Sequence, residues 1–334
     1  MKVLITGGAG YIGSTICSAM EDKGHTPIIL DSLVKGKEQF TKNRIFYKGD
    51  INDENLLEKI FQEHKDIDCA IHCAALIVVP ESMEKPYEYY TENVVKSLNL
   101  LKKLNELNCK KIVFSSSASI YDDIENFMVT EEDSLNPRSP YARTKAIIEM
   151  ILEDFCNAYG MKGISLRYFN VIGADPKMRS GAYIQNPSHV LSKIMRVVNG
   201  EEGVFKITGT NWSTKDGSGI RDYIHVWDLA QAHVCAVEDI DKAFEKSKKN
   251  TSYMPINLGT GKGITVKELV GIFEKVNNKG KISIIEAESR PGDIAGAYAN
   301  TDLAKELIGW STKLTVEDGI RHAMQWEKLY KNIF

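Results

Sequence analysis

Along the first half of the chain, short apolar runs alternate with stretches of helical periodicity. Val3–Thr6, Pro27–Leu30, Ile45–Lys48, Cys69–His72, Lys111–Ser115 and Lys162–Arg167 are compact apolar runs. Between them, Tyr11–Lys23, Glu54–His64, Ser82–Leu107 and Tyr141–Tyr159 carry apolar residues at helical spacing. Runs of the first kind predict buried strands and those of the second predict amphipathic helices. Strand and helix in regular alternation imply βαβ units, hence a parallel sheet with helices on both faces. Right-handed crossovers make such a sheet doubly wound. Its ligands are expected at the carboxyl ends of the strands, where strand order reverses.

After Asn170 the pattern changes. Residues 171–220 are rich in Gly, Pro, Asn and Ser, with a helical stretch at His189–Val198. Residues 250–300 mix short strands with a helix at Val266–Lys275. The reading is α/β: a nucleotide-binding Rossmann-type domain over 1–170 and a smaller α+β substrate domain over 171–334. Residues 219–240 are the part of the second unit expected to pack back on the sheet.

Composition narrows the function classes. The 334 residues suggest about two domains. A net charge of −3 offers no global basic field for nucleic acid. No apolar run approaches the roughly 20 residues needed to cross a bilayer, and the first residues enter a strand directly, without a signal-peptide pattern. The expectation is a cytoplasmic protein with no membrane partner. Six cysteines include no Cys-x-x-Cys pair, so neither a metal site nor a redox dithiol is expected.

The first strand runs into Gly7-Gly8-Ala9-Gly10-Tyr11-Ile12-Gly13 and then a helix. Glycines in that context allow a tight turn and a close approach of pyrophosphate to the backbone. The main chain of Tyr11 and Ile12 opens the helix, whose N-terminus favours an anion. Asp31 ends the second strand, followed by Ser32. A carboxylate there accepts both adenosine ribose hydroxyls and repels a 2′-phosphate, which favours NAD over NADP. Asp50, next to Ile51, has two readings of similar weight: a partner for the adenine amine, or a helix cap. Cys73-Ala74-Ala75 follows the fourth strand with side chains small enough for a flat cofactor to pass.

Ser139-Pro140-Tyr141-Ala142-Arg143-Thr144-Lys145 is the most informative segment. Ser139 caps a helix, Pro140 suits its first turn, and Tyr141 and Lys145 share one face. An ammonium beside a phenol favours the phenolate, giving a general base. Strand five ends in Phe114-Ser115-Ser116-Ser117. Ser117 is chosen for the substrate hydroxyl and Ser115 for the cofactor side. Asn93, on the long preceding helix, serves NAD or a water relay, or is an ordinary surface residue.

With these residues in hand, the chain resembles the extended short-chain dehydrogenase/reductase family, and within it the UDP-hexose 4-epimerase branch. The resemblance rests on the segments above and on Leu166-Arg167-Tyr168-Phe169-Asn170, Gly219-Ile220-Arg221-Asp222-Tyr223-Ile224-His225-Val226, Ile256–Gly261, Arg290-Pro291-Gly292-Asp293 and Tyr298-Ala299-Asn300. It implies NAD-dependent 4-epimerisation of a UDP-sugar through a transient 4-keto sugar. By resemblance Tyr141 is the base, Lys145 its electrostatic partner and Ser117 the hydroxyl ligand. Tyr168 and Phe169 join the cofactor side. Asn170, Arg221 and Arg290 contact the UDP diphosphate, Asp293 its ribose, and His189 the substrate side. A surface ion pair with Asp222 is the alternative for Arg221. The resemblance also implies a homodimer through the Pro86–Leu107 and Tyr141–Tyr159 helices, whose apolar positions fit packing within a monomer as well.

Three positions depart from the family. Ile77 stands where it usually has Lys, which weakens the expected hold on NAD. Asp122 stands where Gly usually follows Tyr121. Ala297 occupies the sugar-pocket gate, so N-acetylated hexoses are expected to fit. A 4,6-dehydratase is disfavoured because Ala118 and Ser119 replace its acidic pair. Two further readings stay open on the same fold: a UDP-glucuronate epimerase or decarboxylase, and a non-catalytic nucleotide sensor.

Overall fold

The structure, a computed structural model, describes residues 1–183, 189–278, 280–289 and 294–333. Its centre is a seven-stranded sheet in which every pairing is parallel. Five strands come in sequence order: β1 (Lys2–Thr6), β2 (Thr26–Asp31), β3 (Ile45–Lys48), β4 (Ile67–His72) and β5 (Lys111–Ser115). The strand Lys162–Tyr168 lies beside β5, and Tyr253–Leu258 forms the edge. The spatial order is Tyr253–Leu258, Lys162–Tyr168, β5, β4, β1, β2, β3.

One face of the sheet packs on helix α1 (Tyr11–Asp22) and the helix Val226–Glu238, around Val3, Ile5, Ile16, Leu229 and Val234. The other face packs on α2 (Glu54–Glu63), Lys96–Glu106 and Pro140–Tyr159, around Leu4, Leu57, Leu100, Phe114 and Leu152. Strands buried on both faces need no polar alternation, which is why they read as continuous apolar runs. Strand order reverses between β1 and β4, so the expected ligand crevice opens beyond Thr6 and His72.

The sheet extends past the expected limit at 170. Its last strand, Tyr253–Leu258, arrives after the helices Val226–Glu238 and Ile240–Ser247, and Asp302–Ile308 adds Ala304, Leu307 and Ile308 to the same core. The later segments also build a separate core around Leu191, Ile194, Phe205, Ile207, Phe273 and Ile320. A four-stranded sheet joins Ile264–Thr265, Ile220–Arg221, Gly296–Ala299 and Met128–Val129.

The helix expected over Ser82–Leu107 is interrupted. Val79–Glu84 ends at Lys85, which has φ −127° and ψ 53°. Pro86 then opens a new helical run that continues through a wide π turn at Tyr90–Val95 into Lys96–Glu106. A residue before proline is driven out of the helical region by the pyrrolidine ring, which explains the break. Among the described residues, no helix is long and apolar enough to cross a membrane, and no group of three or more His, Cys, Asp or Glu side chains could hold a metal ion. The six cysteines are free thiols.

Candidate active site

The glycine turn sits at the strand-order reversal with almost no spare room. Gly7 has φ +72°, a conformation side chains resist, and a Cβ there would stand 2.7 Å from the Ala74 nitrogen. A Cβ on Gly13 would strike the carbonyl oxygen of Gly7. The glycines thus let β1, the start of α1 and the Cys73–Ala75 segment meet. Helix α1 starts at Tyr11 with no side-chain cap, leaving its first N–H groups for an anion. Asp31 lies beside this turn, its carboxylate accepting from Ala9 N at 2.9 Å and Leu33 N at 2.8 Å. Desolvation raises its pKa. Two backbone bonds leave lone pairs on both oxygens for a diol. Cradle, helix start and carboxylate therefore fit a dinucleotide such as NAD.

Several expected cofactor residues play other parts. The Tyr11 hydroxyl donates to Gly173 O at 2.6 Å, so only its main chain serves the turn. Ile12 and Ile51 pack inward, and Ser32 is exposed. Asp50 accepts from Asn52 N at 2.9 Å and from Lys96 Nζ at 2.6 Å, while the helix cap of α2 is Asp53. Asn93 is buried, not a surface residue: its amide takes both main-chain groups of Leu76, at 2.8 and 2.9 Å, and donates to Thr144 Oγ1 at 3.1 Å. Tyr89 grips Val78 N and O in the same way, at 2.9 and 2.8 Å. The 74–78 segment is thereby pinned at two points, with Ile77 half-exposed between them.

Beside this floor, Tyr141, Lys145 and Ser117 come together. Ser139 caps their helix by accepting from Ala142 N at 3.1 Å, and Pro140 fills its first turn. Burial raises the Tyr141 phenol above its ordinary pKa and outweighs the opposing effect of the nearby Ser117 hydroxyl, which itself pairs with Ser119 Oγ at 2.9 Å. The expected acidification by Lys145 is absent here. The Lys145 ammonium donates instead to the Ser115 carbonyl at 2.7 Å and lies 5.9 Å from the centre of the Tyr141 ring. Burial lowers its own pKa to about 8.

Ser115 also departs from expectation, because its hydroxyl is engaged below the crevice. His233 Nδ1 faces the Leu229 carbonyl at 2.9 Å, which can only accept, so Nδ1 carries the proton. Its Nε2 then accepts from Ser115 Oγ at 2.8 Å. The Cys73 thiol is 3.1 Å from the same oxygen, and Tyr168 also bonds it. His233 had no distinguishing sequence signal, since a lone His on a helix face reads as core. His72 links β1 to the helix Lys96–Glu106, with Thr6 Oγ1 at 2.7 Å and Ser97 Oγ at 2.8 Å.

The expected substrate residues are more dispersed. Phe169 and Asn170 follow Tyr168 out of the sheet, and Asn170 N donates to Asp222 O at 2.9 Å. Arg221 pairs in register with Ala297. Its guanidinium donates to the carbonyls of Ile220, Ala295 and Ile294 at 2.6, 2.8 and 3.2 Å. Asp222 points elsewhere, into Thr260, Gly261 and Ala299, so the surface ion pair considered for Arg221 is not formed. His189 is exposed at the start of the helix Val190–Val198. Arg290 and Asp293 lie outside the described residues.

Comparison with known proteins agrees with this geometry. The chain is 40% identical over 329 residues to a UDP-glucose 4-epimerase of Halalkalibacterium halodurans, covering 98% of this chain and 96% of the relative. It is 37% identical over 337 residues to that of Bacillus subtilis, covering 98% and 97%. A crystal structure of UDP-glucose 4-epimerase from Bifidobacterium longum, in complex with NAD+ and UDP, superposes with a TM-score of 0.90 at 34% identity, covering 100% of both chains. Residues 3–251 match the model of one family, and the chain belongs to it: the NAD dependent epimerase/dehydratase family.

Proposed function

We propose that this protein interconverts UDP-hexoses by epimerisation at C4, with NAD as a retained cofactor and UDP-glucose and UDP-galactose as the basic substrate pair. The observation that carries the reading is the meeting of Tyr141, Ser117 and the buried Lys145 next to a dinucleotide cradle. Gly7, Gly10, Gly13 and the main chain of Tyr11 and Ile12 hold the diphosphate, and Asp31 the adenosine ribose. Ala74, Ala75 and Lys145 flank the nicotinamide end. Bound there, NAD serves as hydride acceptor and donor at the sugar C4, which passes through a ketone. Tyr141 takes and returns the proton on O4, while Ser117 orients that oxygen. Asn170, His189, Arg221, Arg290 and Asp293 hold the UDP portion, and the sugar itself is left loosely held so that it can present either face.

Purified protein incubated with UDP-galactose, UDP-N-acetylgalactosamine and UDP-galacturonate separately provides the test. UDP-glucose should form from UDP-galactose without carbon loss. A decarboxylated product from the uronate alone, or no turnover of any of the three, would reject the assignment.

The protein works as a homodimer on this reading. Val95 and Leu98 are exposed at 50% and 39% on one helical run, and Met150 at 57% on the helix Pro140–Tyr159. Apolar side chains on two neighbouring helices suit a two-fold contact. Sedimentation should show a dimer that Met150→Glu weakens, and a monomeric native protein would reject it. Six free cysteines suit the reducing cytoplasm, which cell fractionation checks.

A further inference from the structure

Three consecutive serines close β5, and the proposed chemistry uses two of them: the carbonyl of Ser115 and the hydroxyl of Ser117. Ser116 between them is fully buried, and its hydroxyl donates to the carboxylate of Glu149. Glu149 lies one turn beyond Lys145 and two beyond Tyr141 on the same helix face. It is also clasped by Arg167 of the adjacent strand. Arg167 Nε lies 3.1 Å from both carboxylate oxygens and Nη2 2.6 Å from Oε2. Arg167 Nη1 continues to Tyr121 Oη at 2.9 Å, and Tyr121 Oη to Asn257 Oδ1 at 2.7 Å. One carboxylate thus ties the Tyr141 helix to β5 and to Lys162–Tyr168, with Tyr253–Leu258 joined through Tyr121.

A buried ion pair adds little net stability over apolar packing of the same volume. Its directional bonds do fix distances, and distance matters here. Proton transfer needs donor and acceptor within hydrogen-bond reach, and a misplacement of about 1 Å costs on the order of a hundredfold in rate. Lys145 Nζ to Ser115 O, at 2.7 Å, spans the gap between β5 and this helix, and Tyr141 faces Ser117 across the same gap. The Ser116–Glu149 bond spans the same gap, between them in sequence and one layer deeper. We infer that Ser116, acting through Glu149, is a positioning residue that sets the separation between the end of β5 and the helix bearing Tyr141 and Lys145.

The inference rests on Tyr141 as the proton carrier, and the experiment separates the two. Ser116→Ala removes one hydroxyl and leaves the Glu149–Arg167 pair whole. The expected result is a kcat about 10- to 100-fold lower, with KM and Tm near the native values. The phenol of Tyr141 should also titrate higher as the Ser117 hydroxyl, which lowers its pKa, moves away. That titration is followed by ultraviolet difference absorbance against Tyr141→Phe, and it needs no turnover. Native kcat and an unshifted phenol in Ser116→Ala, with Tyr141→Phe inactive, overturn the positioning role alone. A fall in kcat matched by loss of folded protein overturns it too, as a merely structural effect. Full activity in Tyr141→Phe instead removes the reading on which it depends.

Discussion

At Tyr141 two influences oppose each other. Burial disfavours the phenolate and raises the pKa, while the Ser117 hydroxyl stabilises it and pulls the other way. The phenol therefore holds its proton more tightly than a free tyrosine, and removing the hydroxyl removes the carrier without emptying the site. Tyr141→Phe should lower kcat by roughly 10²- to 10⁴-fold, with UDP binding by titration calorimetry changed little. Retained turnover would refute the assignment. Ala297 pairs in register with Arg221. If its small side chain leaves room for a 2-acetamido group, Ala297→Tyr should cut kcat/KM for UDP-N-acetylgalactosamine by at least tenfold while sparing UDP-galactose. Equal losses on both substrates would contradict the gate.

At the scale of elements, the inner strands were legible because they are buried on both faces and each reads as one apolar run. Ile45–Lys48 and Lys111–Ser115 agree with expectation to the residue. The helix carrying Asn93 was less so. Periodicity continues across Lys85, and only the conformational restriction before Pro86 breaks it. The site shows the same split. The i, i+4 spacing placed Tyr141 and Lys145 on one helix face, whereas Asn93 pinning Leu76 depends on a contact 17 residues away that no local pattern encodes. That contact makes a prediction at this scale. Asn93→Ala leaves the part-buried N–H and carbonyl of Leu76 without this partner and frees the crevice floor. It should cost about 2–4 kcal/mol in urea unfolding and weaken NAD binding severalfold by fluorescence titration. Unchanged NAD affinity would show that the 74–78 segment does not depend on this clamp.

Over the whole molecule, composition changes after Asn170, but the return of Tyr253–Leu258 to the sheet was not legible. A seventh strand so far along the chain from its neighbour Lys162–Tyr168 is a fact of topology, not of local pattern. Deep in the structure lies a set of buried histidines whose titration couples stability to pH. His72 and His225 are held neutral with pKa values near 3, and His233 near 4, in each case chiefly by desolvation. Unfolded, each titrates near 6.5. Between the two values the unfolded chain binds more protons, so stability rises with pH across that window and is lost as pH falls from 6.5. By pH 5 each histidine withdraws about 2 kcal/mol, a large share of a typical folding free energy. The buried carboxylates Asp31 and Asp222, pushed up by desolvation, work in the opposite sense and soften the loss at lower pH. Tm should therefore fall continuously from pH 6.5 to pH 5. His225 offers the control, because its Nδ1 accepts from Trp227 N at 2.9 Å as a helix cap, a role asparagine can fill. His225→Asn should start from a lower Tm at pH 7, with the loss of the bond to His322, but lose less on acidification. A slope identical to that of the native chain would exclude His225 from the acid response.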